Sequence, residues 1–523
     1  MDYQEIAKQA FYDLNQKNFI SAEKKLKKLL KKNPTETNLL NALAFVQYNQ
    51  KRIDESINLL KKSLLINPLQ TECIKNLVSS QIELNKYQEA LLTVEKSLNY
   101  LPNNALIFFL KGNVLMRLDK KIEAIESYSN SIKFDSFFKE SYLNLGYALN
   151  KNKEYLKAIN TYLELIKMDP NMHDAHYNLA ITYNNIGKYK DAISHYEIAL
   201  DLNPYNNVAK FNLSILYLTL QRFTKGWPLW ENRWYGLEKP EFTNKINTSV
   251  LLEKSKKILI WGEQAVGEQI LYGSMLNDLL NFKNLTVAIN KKLLPIYKRS
   301  FNNIKFIDLE AISDYESFDS QIAMGSLGFF LRPDEESFKK QPQKFLINDS
   351  NTSKDFKNKL ELGDKIICGL SWISKNQFIG NQKSIKLDQL LSAFDLEKFE
   401  FINLQYGDTD QEVIEIEKKY NIKIKKIEEL DKFENLDGLL SLISICDLVV
   451  TVSNVTAHLS GALGKKTFVL CPFEYGSMWH WHFGSRTPWY SSIKIFRKIL
   501  EESWDHPIQY LSSELKNIKK NKY

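Results

Sequence analysis

The sequence predicts an α plus α/β chain: an all-helical superhelical array followed by two Rossmann-type lobes. Two observations carry this. Prolines recur on a 34-residue grid through the first 204 residues, and from Lys257 onward short apolar β-type runs alternate with helical stretches. At 523 residues the chain exceeds what a single hydrophobic core holds, so more than one domain is expected.

The grid consists of Pro34, Pro68, Pro102, Pro170 and Pro204, with Ser136 in the remaining slot. Proline cannot continue a helix, so each marks a helix-to-helix turn at the same place in its unit. Other columns keep the same phase. Small residues recur at Ala10, Ala44, Gly112, Gly146, Ala180 and Ser214, where two helices must approach closely, and again at Ala22, Ser56, Ala90, Ala124, Ala158 and Ala192. Bulky residues recur at Phe19, Ile53, Tyr87, Tyr155, Tyr189 and Phe223. A further apolar column runs Leu26, Leu60, Val94, Tyr128, Tyr162, Tyr196 and Trp230. These columns resemble the tetratricopeptide repeat, a pair of antiparallel helices per unit. The resemblance implies a superhelix whose concave face binds a protein or peptide. His173, His176 and His195 lie on repeat helices and are read as packing residues, not metal ligands.

The seventh unit runs into FTKGWPLWENRWYGLEKPEF. Trp227, Trp230 and Trp234 have helical i, i+3, i+7 spacing, and Pro228 suits a first-turn position. Such a helix most simply packs the array onto the following domain; the alternative is a ligand-stacking role. The polar stretch after Gly236 reads as a linker.

In the second half the expected strands are KILIW, LTVAI, IKFID and DSQIA, then IICGLSW, FEFINLQ, DLVVTV and KTFVLC. Strand-helix alternation implies parallel sheets covered on both faces, with ligands at the carboxyl ends of strands. Three loops there carry candidate chemistry. The first, Trp261 to Glu268, has Gly262 and Gly267 for close backbone approach and two carboxylates, Glu263 and Glu268. Glu268 falls in a helix first turn and is a candidate general base, or simply a helix-stabilising glutamate. The second, Val452 to His458, offers Ser453 and Asn454 as helix caps, with Thr456 and His458 one turn in. Amides and hydroxyls at a helix start suit a diphosphate, although capping alone also explains them. The third contains Ser371 and Trp372, with Lys383 and Lys386 before the next helix. Asp408-Thr409-Asp410 has the form of a manganese motif but precedes a helix, where acidic residues are routine, so no metal is expected.

The segments GWPLWENRW, WGEQAVGEQILYGSML, LPIYKRSF, MGSLGFFLR, GLSWISKN with KSIKL, FINLQYGD, and DLVVTVSNVTAHLSGALGKKTFVLCP with TPWYSSIKIFRK occur in a familiar order. They resemble bacterial tetratricopeptide-repeat proteins carrying a C-terminal domain related to glycosyltransferase family 9, the heptosyltransferases. The resemblance implies a GT-B-like pair of lobes and metal-independent inverting transfer from a nucleotide-diphosphate sugar. It implies Glu268 as catalytic base, in a position where the family usually has Asp. It implies donor binding by Lys383, Ser453, Asn454, Thr456 and His458, with Asn454 where Asp is common. Glu263, Gly267, Trp372 and Gln405 are secondary candidates, and no cofactor or metal is implied.

The expected boundaries are an array over 1–235, a linker over 236–255, an acceptor-side lobe over 256–350, a nucleotide-sugar lobe over 351–510 and a basic tail over 511–523. The net charge of +8 comes mostly from scattered lysines, and no basic stripe with interleaved aromatics points to nucleic acid. Cys73, Cys368, Cys446 and Cys471 form no Cys-x-x-Cys pair or zinc spacing, which reads as a reduced, cytoplasmic protein. No signal peptide or membrane span is expected, and peripheral membrane contact is compatible with the composition. The expected function is sugar transfer to a protein or glycan presented by the array. The alternative is a non-catalytic interaction scaffold with a degenerate transferase-like domain.

Overall fold

The computed structural model describes residues 3–236, 239–240, 243, 256–312, 317–376, 379–473, 478–499 and 503–519. The chain divides into two compact units, Met1–Pro204 and Tyr205–Tyr523.

The first unit is a run of antiparallel helix pairs. They are α1 (Tyr3–Asn15) and α2 (Phe19–Lys32), α3 (Thr37–Asn49) and α4 (Ile53–Ile66), α5 (Thr71–Glu83) and α6 (Tyr87–Tyr100), α7 (Ala105–Arg117) and α8 (Lys121–Phe134), α9 (Lys139–Lys151) and α10 (Tyr155–Met168), and α11 (His173–Asn185) and α12 (Tyr189–Leu202). The proline grid marks the turn between pairs, as expected. The turn inside each pair is built differently. Lys17, Lys51, Asn85, Asp119, Lys153 and Gly187 all have positive φ, 57–74°, and fall on the same 34-residue period. Each reverses the chain in the left-handed region, and only the last is glycine.

The small column is where helices touch. A Cβ on Gly112 would stand 2.5 Å from the Tyr128 ring, and one on Gly146 would stand 2.5 Å from the Tyr162 ring. Glycine accompanies tyrosine 16 positions later in these two pairs and Ala10 and Ala44 accompany the smaller Leu26 and Leu60, while Ala180 accompanies Tyr196. His176 and His195 pair through their Nδ1 atoms at 2.9 Å, with His176 Nε2 on the Pro170 carbonyl at 3.1 Å. They pack the sixth pair, as expected.

The seventh helix pair, α13 (Asn207–Thr219) and α14 (Phe223–Trp230), belongs to the second unit. Trp227 and Trp230 are buried, at 1% and 2% exposure, and both pack edge-on against Trp479 at 5.6 Å. Trp227 Nε1 donates to the Arg332 carbonyl at 2.7 Å. Trp234 is half-buried against Trp261 at 5.3 Å. Pro228 is not in the first turn but inside α14. The missing N–H and the ring's bulk end the helix two residues later, where a 3₁₀ turn, Glu231–Trp234, takes over. Of the stretch read as a linker, 237–238, 241–242 and 244–255 lie outside the described residues.

Two parallel sheets follow. The first has strand order β3-β2-β1-β4, from β1 (Ile258–Trp261), β2 (Leu285–Ile289), β3 (Lys305–Asp308) and β4 (Ser320–Ala323). Its helices are α15 (Val266–Gly273), α16 (Leu294–Ser300) and α17 (Leu327–Leu331), and α18 (Ser350–Leu360) leads into the second sheet. That sheet has order β10-β9-β8-β5-β6-β7, from β5 (Ile366–Ser371), β6 (Phe399–Asn403), β7 (Ile424–Lys425), β8 (Leu448–Val452), β9 (Thr467–Cys471) and β10 (Ile493–Arg497). Its helices are α19 (Gly380–Lys383), α20 (Leu387–Leu391), α21 (Asp410–Tyr420), α22 (Leu436–Ser444), α23 (Val455–Ala462) and α24 (Asp505–Lys516).

All eight expected strands are present; β7 and β10 are additional. Of the expected tail, 511–516 belong to α24, which docks Leu511 and Leu515 into the core; 520–523 lie outside the described residues. In each sheet the chain returns to the other side of its first strand, at β1/β4 and at β5/β8. Such switch points leave a crevice at the carboxyl ends of the strands. Among the described residues no helix is long and apolar enough to cross a membrane, and all four cysteines are buried thiols.

Candidate functional site

A cleft of about 480 Å³ opens between the carboxyl ends of the two sheets. Its walls come from the β1–α15 loop, the segment from β5 to α19, the loop before α22 and the β8–α23 loop. Glu268, Lys383, Ser453, Asn454 and His458, singled out separately in the sequence, all line it, as does Gly267. A Cβ on Gly267 would stand 2.9 Å from His458 Cδ2. Only glycine lets the start of α15 approach α23 this closely.

The β8–α23 loop is held from below. Asn454 is the cap of α23: its Oδ1 accepts the Thr456 amide at 3.0 Å and the Thr451 hydroxyl at 3.1 Å. Its Nδ2 donates to Ser371 Oγ at 2.9 Å and to the Ile373 carbonyl at 3.2 Å. A carboxylate could not donate to that carbonyl, which is a structural reason for Asn at this position. Ser453 Oγ accepts the Trp481 indole N–H at 2.8 Å. Thr456 contributes its amide to the cap, and its buried side chain does not line the cleft.

His458 has Nδ1 3.1 Å from the Tyr490 hydroxyl and is packed by Trp481 and edge-on by His480. Burial, reinforced by the Lys383 charge, drives its pKa down to about 3, so the ring is neutral at physiological pH. The contact with Tyr490 fixes the orientation of a neutral ring that lines the cleft.

Lys383 and Glu268 have no such supports. Lys383 is 5% exposed. Among the described residues its ammonium makes no hydrogen bond and no ion pair, and the Glu268 carboxylate likewise has no side-chain partner. Burial pushes the Lys383 pKa down, and the charge of Glu268 works against that shift. Burial pushes the Glu268 pKa up, and the field of Lys383 opposes it in part. A carboxyl poised above its ordinary range beside a desolvated cation is suited to taking a proton while the cation meets an anion.

The secondary candidates are spent elsewhere. Glu263 is bound by Arg233 through Nε and Nη2, both at 2.9 Å, and accepts the Gly325 amide at 2.6 Å. This buried pair fastens the turn after α14 to the first sheet and does not line the cleft. Trp372 is fully buried, its indole N–H donating to Glu412 at 2.8 Å. Gln405 brackets the turn after β5: its Oε1 accepts Ser371 Oγ and the amides of Trp372 and Ile373 at 2.8–3.0 Å. Both act behind the cleft. Asp410 opens α21 and pairs with Lys426 at 3.1 Å, in keeping with an acidic helix start.

Several lining residues carried no sequence signal. Tyr406 and Phe433 place rings 6.0 Å apart on one wall, and Lys432 adds a second cation, its pKa lowered by burial. Lys292 reaches from the first sheet to the Phe433 carbonyl at 3.1 Å and Glu434 at 2.8 Å. The Trp479-His480-Trp481-His482 run is buried, and neither His480 ring nitrogen has a protein partner. This run packs behind the cleft wall, and its alternation of aromatic and imidazole residues is the one signal of it in the sequence.

Comparison with known proteins separates the two units. Residues 139–172 and 173–206 each match the tetratricopeptide repeat, in register with α9 and α11. The helical array is therefore of the tetratricopeptide type, which points to protein–protein interaction. The chain is 27% identical over 333 residues to Protein FlbA of Caulobacter vibrioides, an alignment covering 58% of this chain and 54% of that protein. The chain thus spans about half the length of this curated relative. Similar solved structures include YrrB, described as a TPR protein with an unusual peptide-binding site. It is 19% identical, with a TM-score of 0.30, over 35% of this chain and 95% of its own. A tetratricopeptide repeat protein from Parabacteroides merdae is 16% identical, with a TM-score of 0.38, over 46% of this chain and 96% of its own.

Proposed function

We propose that the second unit is a GT-B-like, metal-independent inverting glycosyltransferase related to family 9, and that the array presents its protein or glycan acceptor. The observation that carries this reading is Lys383: a buried cation without a partner among the described residues, in one cleft with Glu268 and the start of α23. A buried lone charge is costly, and an anionic ligand relieves that cost. A nucleotide diphosphate fits these groups, with Lys383, Ser453 and His458 directed to its oxygens and Asn454 and Thr456 shaping the loop.

In the transfer, Glu268 accepts the proton of an acceptor hydroxyl. The freed oxygen attacks the anomeric carbon, the bond from that carbon to the diphosphate oxygen breaks, and the charge left on the diphosphate is met by Lys383 and His458. No metal or cofactor enters this scheme, and the chemistry requires neither membrane nor nucleic acid.

The test is calorimetric titration with a panel of nucleotide-diphosphate sugars, followed by product analysis. Binding is expected for the matching donor, weakened at least about tenfold in Lys383→Ala. Glu268→Gln is expected to bind the donor and to lose transfer by about 100-fold or more. Neither binding nor turnover across the panel would end this reading.

A second reading, an interaction scaffold with a non-catalytic α/β unit, draws on Asn454. Its side chain is fully committed to internal hydrogen bonds, and Glu268 stands where the resembling family usually has Asp. That reading expects donor binding without transfer, and unchanged biological activity in Glu268→Gln.

A further inference from the structure

Helix α2 differs from its counterparts in the array. Between residues 24 and 32 it holds six lysines. The equivalent helices α4, α8 and α10 hold two each, and α6 and α12 one each. A general lysine bias acts on every helix alike and does not concentrate charge in one of six equivalent positions.

The placement is as uneven as the composition. Ala22, Leu26 and Leu29 are buried and fasten one side of α2 into the array. Lys24, Lys27, Lys28, Lys31 and Lys32 are exposed on the other. Ile20, Lys24, Lys27 and Lys31 follow steps of four, three and four, which is one stripe along the helix. Glu23 pairs with Lys27 at 2.6 Å, and Lys25 is taken by Asp13 at 2.5 Å. Lys24, Lys28, Lys31 and Lys32 have no carboxylate partner among the described residues. Ile20, at the head of the stripe, is 82% exposed, and Tyr12, near the end of α1, is 59% exposed.

We propose that this face of α2 docks the protein on an anionic lipid bilayer. The unpaired Lys24, Lys28, Lys31 and Lys32 span about 12 Å along a rigid helix, longer than the screening length at physiological salt, so the charges act on an extended negative surface together. The exposed Ile20 and Tyr12 match the apolar component of an interfacial contact. The stripe has no arginine and no interleaved aromatic rings for stacking bases, which disfavours nucleic acid. Because the apolar side of α2 is already used within the array, the contact is peripheral and reversible.

The test is co-sedimentation of the full chain with vesicles of phosphatidylcholine alone or with about 30% phosphatidylglycerol, a charge density like that of cellular anionic leaflets. Binding is expected only to the anionic vesicles and is expected to vanish at about 0.5 M salt. Lys24→Glu/Lys28→Glu/Lys31→Glu is expected to weaken it about a hundredfold. Lys62→Glu/Lys167→Glu/Lys190→Glu, the same charge change at exposed sites on other helices, is expected to leave at least most of it. Circular dichroism checks that both variants keep their helices. Equal binding to neutral vesicles, no binding, or equal loss in the two triple variants would overturn the proposal. So would displacement from vesicles by substoichiometric single-stranded RNA or poly-glutamate, which would assign the face to that partner instead.

Discussion

The two units treat buried charge differently. In the array the buried carboxylate of Asp13 is neutralised by Lys25 at 2.5 Å, and the part-buried Glu23 by Arg52 at 2.6 Å, while contacts such as Tyr128 to Asn113 at 2.7 Å are neutral. The α/β unit buries four charged side chains: Arg233, Glu263, Arg332 and Lys383. Arg233 and Glu263 hold each other, Arg332 holds Asp278, and Lys383 has no partner among the described residues. Polar groups in the array maintain shape. In the α/β unit one set fastens elements together, and what is left over gathers in a single cleft.

The largest test of that division removes a fastening. Glu263→Ala leaves the buried Arg233 with only Glu231, at 2.9 Å and half exposed, as a carboxylate partner; breaking the buried pair costs up to about 3–5 kcal/mol. All nine tryptophans lie between Trp227 and Trp504, so intrinsic fluorescence in a urea titration reports on the α/β unit alone. Replacing both partners by apolar residues, Arg233→Met with Glu263→Leu, is expected to recover most of the loss. An unchanged midpoint in Glu263→Ala would mean the pair is incidental.

In the array the comparable test is steric. Gly146→Ala drives a methyl into the Tyr162 ring and is expected to cost about 1–3 kcal/mol, read as helical circular dichroism against denaturant. Adding Tyr162→Leu should restore stability, because Ala44 with Leu60 and Ala10 with Leu26 already use that combination. Failure of the second change to rescue the first would show that the Tyr162 ring does not set the size allowed at position 146, as the Ala180–Tyr196 combination shows can happen elsewhere in the array.

Legibility follows the same line. Array features recur every 34 residues, so phase alone exposed the proline turns and the small column. The strands were legible because each is a short run of β-branched and aromatic residues between turn residues. The cleft was legible only where a candidate followed a strand and opened a helix, as at Glu268 and Ser453 to His458. Glu263 has the same sequence context as Glu268, and nothing local shows that Arg233, 30 residues earlier, claims it. Phe433 and Lys432 reach the cleft from a loop with no motif, because only the packing of α22 brings them there.

A smaller effect separates charge left over for a ligand from charge used in the fold. The Glu268 carboxyl is raised above its ordinary 4.5 by burial, with Lys383 opposing in part. A raised carboxyl stabilises the fold fully below its unfolded value, and that contribution is lost as pH rises through the folded value. Stability of the α/β unit is therefore expected to fall between pH 4.5 and neutrality. Glu268→Gln should flatten that fall and raise stability at neutral pH, because it removes a partly desolvated charge without a side-chain partner among the described residues. The measurement is fluorescence-detected unfolding of both proteins across that range. A Glu268→Gln variant less stable than the parent at pH 7 would place the carboxylate among the fastenings instead.

The smallest effect concerns the turns that the sequence concealed. Lys17, Lys51, Asn85, Asp119, Lys153 and Gly187 share one backbone conformation, with φ of 57–74°. A side chain there costs up to about 1 kcal/mol relative to glycine, less where Asn or Asp bonds locally. Lys153→Gly is therefore expected to raise array stability by several tenths of a kcal/mol, a gain reduced by glycine's greater freedom in the unfolded chain. Gly187→Ala should lower stability by about 1 kcal/mol, because alanine gains the unfavourable conformation without any compensating contact. Both are measured by circular dichroism in urea, and opposite signs are required. If both substitutions destabilise equally, the left-handed turn is held by packing around it and not by its own residue, and its absence from the sequence pattern is then explained without reference to φ.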